Sequence, residues 1–259
     1  MFRKVMLVFL ALAFCALVVA GIDVARHAMA AHRLENAGVD LDQWHYRFSE
    51  SGVPSGYVDD DPGSWRVRWR RMIASPESAV LDFRLRGSAR LLVDRSLLRD
   101  LALLEVEAIY WGDCRGLTPA VMSDLSQNSS LRTLYLTDCD VTNEGLNLLW
   151  SGCPNLRQAH FMRQDIGDEA FRNVKAARAL RLLALERVSI TNQTIVYLHE
   201  APHLEELYLM EVNVGEECGP LLAAMPRLRT VALHRVEAAG VIRDKLRELR
   251  PDIEVFMDR

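Results

Sequence analysis

The residues in this chain with the most obvious capacity for chemistry are His199-Glu200-Ala201-Pro202-His203, a match to the H-E-x-x-H pattern of zinc hydrolases. That chemistry needs the two histidines at i and i+4 on one helix face, with the glutamate beside a metal-bound water. Pro202 stands between them and opposes a continuous helix through His203. No third ligand follows at a supporting spacing, so the match is expected to be coincidental and a metallohydrolase is the remote alternative. The five cysteines, Cys15, Cys114, Cys139, Cys153 and Cys218, form no C-x-x-C pair, which fits neither a zinc knuckle nor a disulfide-dense scaffold. Asp59-Asp60-Asp61 lacks the alternating spacing and distal glutamate of a calcium loop and reads as a solvated turn. No phosphate loop, dinucleotide fingerprint, nucleophile elbow or catalytic acid pair stands out, and no cofactor is expected. Asn128-Ser129-Ser130 and Asn192-Gln193-Thr194 fit glycosylation sequons, which matter only in a eukaryotic secretory setting. Asn128 is the better acceptor, because Asn192 is expected at a helix start.

Chemistry of this kind needs elements to hold it. The 259 residues are half hydrophobic and a quarter charged, with a net charge of -4, so nucleic acid is not an expected partner. An uncharged run from Val5 to Ile22 follows Arg3 and Lys4. As a helix it would rise about 27 Å, close to the hydrocarbon thickness of a bilayer and longer than the core of a cleaved signal peptide. Residues 1–33 are therefore expected to be a signal anchor, with the N-terminus cytoplasmic and the bulk of the chain outside; secretion after cleavage is the alternative. Phe14 before Cys15 argues against a lipidation site. Residues 34–79 contain turn-forming stretches and Trp65-Arg66-Val67-Arg68-Trp69, and are expected to be a linker and N-terminal cap.

From residue 80 onward the chain repeats. First positions at Val80, Val106, Leu131, Leu156, Leu180, Leu204, Leu228 and Ile253 are separated by 26, 25, 25, 24, 24, 24 and 25 residues. Two further apolar positions follow each, such as Leu134 and Leu136 or Leu207 and Leu209; the last copy retains Phe256. Thr118-Pro119, Thr142 and Thr191 are expected helix N-caps, and Gly167-Asp168-Glu169 a helix's acidic first turn. Neighbouring units must stack, because no single one can bury its apolar face.

Leu131, Leu134, Leu136, Cys139 and Val141, followed by Gly152-Cys153-Pro154-Asn155-Leu156, carry a resemblance to leucine-rich-repeat proteins of the cysteine-containing type. The chain also resembles bacterial proteins with VTDxGL repeats. The resemblance implies an α/β solenoid over 80–259, about eight repeats, with a curved parallel sheet on the concave face and helices on the convex face. It places Cys114 and Cys139 at the repeat's cysteine position, where they are expected to be buried free thiols. Gln164, Val188, Val212 and Val236 depart from the pattern there, and valine offers that loop no side-chain bond. Members of this family act as recognition arms of ubiquitin-ligase adaptors; with no F-box-like segment ahead of the repeats, that role is not carried over.

In such a fold the residues between core positions point away from the helices. One outward column reads Arg84, Tyr110, Tyr135, His160, Ala184, Tyr208 and Ala232, and its neighbour Arg86, Gly112, Thr137, Met162, Glu186, Met210 and His234. A third, at the strand ends, reads Asp113, Asp138, Arg163, Arg187, Glu211 and Arg235. Tyr110, Tyr135, His160, Met162, Arg163, Arg187, Tyr208 and Met210 form the expected partner-binding set, because aromatics, methionine and arginine are enriched at protein interfaces. The expected function is a membrane-anchored, non-catalytic module for a protein or peptide partner. A structural or assembly subunit of a membrane complex is the alternative.

Overall fold

The computed structural model describes residues 92–103 and 106–257, together with 25, 26, 28–30, 32, 33 and 36 near the N-terminus. The apolar run Val5–Ile22, Cys15, the aspartate turn, the Trp65/Trp69 cap, the repeat copy at Val80, and Arg84 and Arg86 all lie outside the described residues. Among the described residues, no helix is long and apolar enough to cross a membrane.

Seven strands form one sheet in the order of the chain: β1 (Ala108–Gly112), β2 (Thr133–Thr137), β3 (Gln158–Met162), β4 (Leu182–Glu186), β5 (Glu206–Met210), β6 (Thr230–His234) and β7 (Glu254–Met257). Every neighbouring pair is parallel. Between them come α1 (Arg95–Leu103, before β1), α2 (Pro119–Ser126), α3 (Asn143–Gly152), α4 (Asn192–His199), α5 (Cys218–Ala223) and α6 (Ala239–Leu249). In sequential parallel order, crossovers of one hand put all the connections on one face of the sheet. The result is an α/β protein of two layers.

The apolar pattern explains the layers. Ile109, Leu134, Ala159, Leu183, Leu207 and Val231 lie side by side across the sheet, and each is fully buried. They share one core with the helix residues Leu125, Leu146, Leu149, Ile195, Leu222 and Ile242. Trp150 sits among them, edge-on to Phe161 at 5.8 Å, with its Nε1 donating to the Ala170 carbonyl at 2.8 Å. Thr118, Thr142 and Thr191 do cap their helices, accepting from the backbone N–H groups of Val121, Gly145 and Gln193.

Two expectations are corrected. The segment after Gly167 forms two short 3-10 turns, Asp168–Phe171 and Val174–Ala176, in place of an α-helix. Its buried residues Phe171, Val174 and Ala177 recur every third residue, the period of a 3-10 turn. The last strand is also shifted by one. Phe256 pairs with Ala232 and not with the core residue Val231, so Val255 and Met257 pack on the core while Phe256 points outward, half-exposed.

The valine positions receive support from elsewhere. Asp140 accepts from the N–H groups of Gly116 and Leu117, Asn143 from Gly167, and Asn192 from Gly215. Asp168 accepts from both the N–H and the hydroxyl of Thr191 and of Thr194. These bonds hold its carboxyl below the usual range even though burial pushes it up. Polar residues at and around the helix starts thus tie the loops after β1 to β5 one to the next, leaving Val188 and Val212 free to be apolar.

The N-terminal helical residues join the same body. Ala30 is fully buried in the core, and Arg33 donates to the buried Asp100 of α1, Nε to Oδ2 at 2.8 Å and Nη2 to Oδ1 at 2.5 Å.

Candidate functional site

The sheet face opposite the helices is set by strand alternation. Residues at the first, third and fifth positions of each strand point there, which brings Tyr110, Tyr135 and His160 side by side as register partners. Their rings stack, Tyr110 on Tyr135 at 4.5 Å and 26°, and Tyr135 on His160 at 3.8 Å and 14°. Ala184 interrupts the column, and Tyr208 follows on β5. Met162 and Met210 end their strands on the same face, both half-buried. The structure therefore brings six of the expected residues onto one surface.

This face is less open than the alternation alone implies. Ala184 and Ala232, expected to meet solvent, are buried. So are Ala108, Thr133 and Leu182 of the leading outward column, which lies just ahead of the repeat's second apolar position and carries no signal of its own. That column also contains Gln158 and Glu206, and Tyr208 donates to Glu206 at 2.9 Å. Burial pushes the Glu206 carboxyl up. On β3, Gln158 Oε1 and His160 Nε2 are buried with no hydrogen-bond partner. Burial lowers the His160 imidazole to about 3, so it is neutral at pH 7.

Arg163 and Arg187 occupy a different setting. Asp113, Asp138, Arg163, Arg187, Glu211 and Arg235, one after each of the first six strands, all have left-handed backbone with φ of 50–53°. Each of the first five keeps a ladder bond to the next strand, as Arg163 N–H does to the Glu186 carbonyl. The side chains pair along the ladder: Arg163 grips Asp138 through Nε and Nη2, and Arg187 and Arg235 both hold Glu211. The two arginines draw the Glu211 carboxyl down to about 2. The two arginines of the candidate set are thus already engaged by carboxylates beside the ring column. The positive φ is only faintly signalled in the sequence: Asp113 and Asp138 are of a type that tolerates it, whereas Arg163, Arg187, Glu211 and Arg235 are not.

The H-E-x-x-H residues do not share a helix face. α4 ends at His199, Glu200 is its C-cap, and 201–203 turn toward β5. Among the described residues, no group of three or more His, Cys, Asp or Glu could hold a metal ion. Asn128, the better sequon, is buried, with Nδ2 turned to the Val106 carbonyl and Oδ1 accepting from Ser130. A hollow of about 260 Å³ lies between Glu205, Arg229, Arg250 and Asp252. Arg250 fills its bonds there with Asp252 and the carbonyls of Ala223, Met225 and Leu228.

The chain matches no model of a known protein family, and no curated protein matches it.

Proposed function

We propose that this chain is a leucine-rich-repeat solenoid, anchored in a membrane by its N-terminal run, that binds a protein or peptide partner on the concave sheet face without catalysis of its own. The observation that carries the reading is the ring stack of Tyr110, Tyr135 and His160, set on three adjacent strands at one register. A row of flat, amphipathic rings on rigid strands offers large contact area at low entropic cost. Gln158 Oε1 and His160 Nε2 are buried beneath this row without a hydrogen-bond partner, so a partner would reach them only by shifting the rings. Met162 and Met210 flank the column with adaptable apolar surface. The anchor reading rests on the run ending at Ile22, eight residues before Ala30 joins the core. The bulk of the chain then lies outside the cytoplasm.

The assembly reading has one observation in its favour. Val241 and Leu249 on α6 and Phe256 on β7 are large apolar side chains left exposed toward one end of the sheet.

A photo-crosslinking residue at position 135 of the full-length membrane protein separates the two. The binding reading expects a discrete adduct from position 135, weakened about tenfold by His160→Ala, which corresponds to about 1.4 kcal/mol. Equal or stronger adducts from position 241, indifferent to His160→Ala, would move the contact to the helical side and sink the site.

A further inference from the structure

The cysteines at the two matching loop positions are closer than thiols that merely pack. Cys114 and Cys139 each lie two residues beyond a register pair, Gly112 and Thr137, on adjacent parallel strands. Neighbouring strands run about 4.8 Å apart, within the Cα separation that a disulfide spans. The two sulfurs stand 2.6 Å from each other, short of ordinary sulfur contact. A metal ion would need more room. Two thiolates bound tetrahedrally at about 2.3 Å would hold their sulfurs roughly 3.8 Å apart. The next position along the ladder is Gln164, which ends the sulfur column and bonds the Met162 carbonyl instead. Cys153 and Cys218 have no such neighbour among the described residues; the Cys153 thiol donates only to the Leu125 carbonyl.

We propose that Cys114 and Cys139 are a disulfide-forming pair that staples the β1 unit to the β2 unit when the chain meets a disulfide-bearing oxidant. Cys139 is the attacking sulfur. It is the less buried of the two and accepts a hydrogen bond from the Cys114 thiol. That bond holds Cys139 below the ordinary thiol range and, with burial, pushes Cys114 up. The Cys139 thiolate attacks one sulfur of the oxidant and expels the other as a thiolate, leaving a mixed disulfide. Cys114 then loses its proton, attacks the Cys139 sulfur and expels the second thiolate. The oxidant gains two electrons and the two protons given up by the cysteines, leaving as two thiols. The staple forms whether or not the sheet face binds a partner.

The test uses the full-length protein equilibrated in excess oxidised or reduced glutathione, then unfolded, alkylated with a maleimide and weighed. Of the five cysteines, two are expected to escape alkylation after oxidation, with non-reducing peptide maps joining 114 to 139. Cys153→Ser should keep the bond, and Cys114→Ser or Cys139→Ser should lose it. The oxidised protein should melt about 5–10 °C above the reduced one, from closure of a loop of this length. Full alkylation of the oxidised wild type, or a bond mapped to any other pair, would overturn the proposal. The wild-type map decides even if a serine variant does not fold.

Discussion

His160 lies flat on the Tyr135 ring, and its Nε2 is buried with no partner. Its folded pKa of about 3 lies below the value of roughly 6.5 for a free imidazole. Between those values the unfolded chain binds a proton that the folded chain refuses. The stability associated with the neutral ring is therefore fully present above about pH 6.5 and is lost as pH falls toward 3. His160→Phe keeps a ring on the stack and removes the titration. Urea unfolding at a series of pH values should show the wild type losing up to about 1.4 kcal/mol per pH unit relative to this variant between pH 6 and 4. A constant difference across that range would mean that the fold does not hold the ring neutral. Asp138 and Glu211 are drawn below the usual carboxylate range by their arginines, so their contributions are lost only at lower pH. Residue chemistry on this face thus separates into a neutral centre and an ionised edge.

At the scale of elements, the closest packing is between α2 and α3. A Cβ added at Gly152 would stand 2.2 Å from Ser126 Oγ and 2.5 Å from Ser126 Cβ, and one at Gly145 2.9 Å from Met122 Cγ. Gly152→Ala should destabilise the protein by about 2 kcal/mol, since the helices must part or the serine must move. Adding Ser126→Gly should recover much of that loss, with a coupling above about 1 kcal/mol in chemical denaturation; strict additivity would show that the two residues do not meet. The strands are legible in the amino-acid pattern because alternation and a period of 24 or 25 residues coincide at Leu134, Leu183 and Leu207. The starts of α2, α3 and α4 are legible because threonine at an N-cap is a local signal; α5 and α6 begin without a side-chain cap and carry no such mark. The 3-10 turns are not, since Phe171 and Val174 fit either helical period over so few residues. Nor is the shift at β7, because Val255 and Phe256 are both apolar and only hydrogen bonding to β6 chooses between them. Of the candidate site, the ring column follows from register. The ion pairs that occupy Arg163 and Arg187 depend on side-chain direction, which spacing does not encode. The reach of Arg33 across to Asp100 is hidden for the same reason.

Among the described residues, the sheet is built from contacts between neighbouring units, and Ala30 and Arg33 add a long-range contact at its first end. Each strand pairs only with the one before and the one after, and the core runs through all the units without a break. Stability in such a stack is a sum of unit and junction contributions, so it can be lost a unit at a time. Held by its ends in optical tweezers, the protein should lengthen in steps of about 80 Å, the extended length of one 24- or 25-residue unit. A single release of the entire array would show the units to be inseparable on that timescale.

The order β1 to β7 also decides where a force would travel. A sheet whose strands are linked in series carries load only between the two points at which it is held. A tether at the N-terminal end and a partner gripping Tyr110, Tyr135 and His160 would put β1 to β3 in the load path. β6 and β7 would remain outside it, able to fray without loosening the grip.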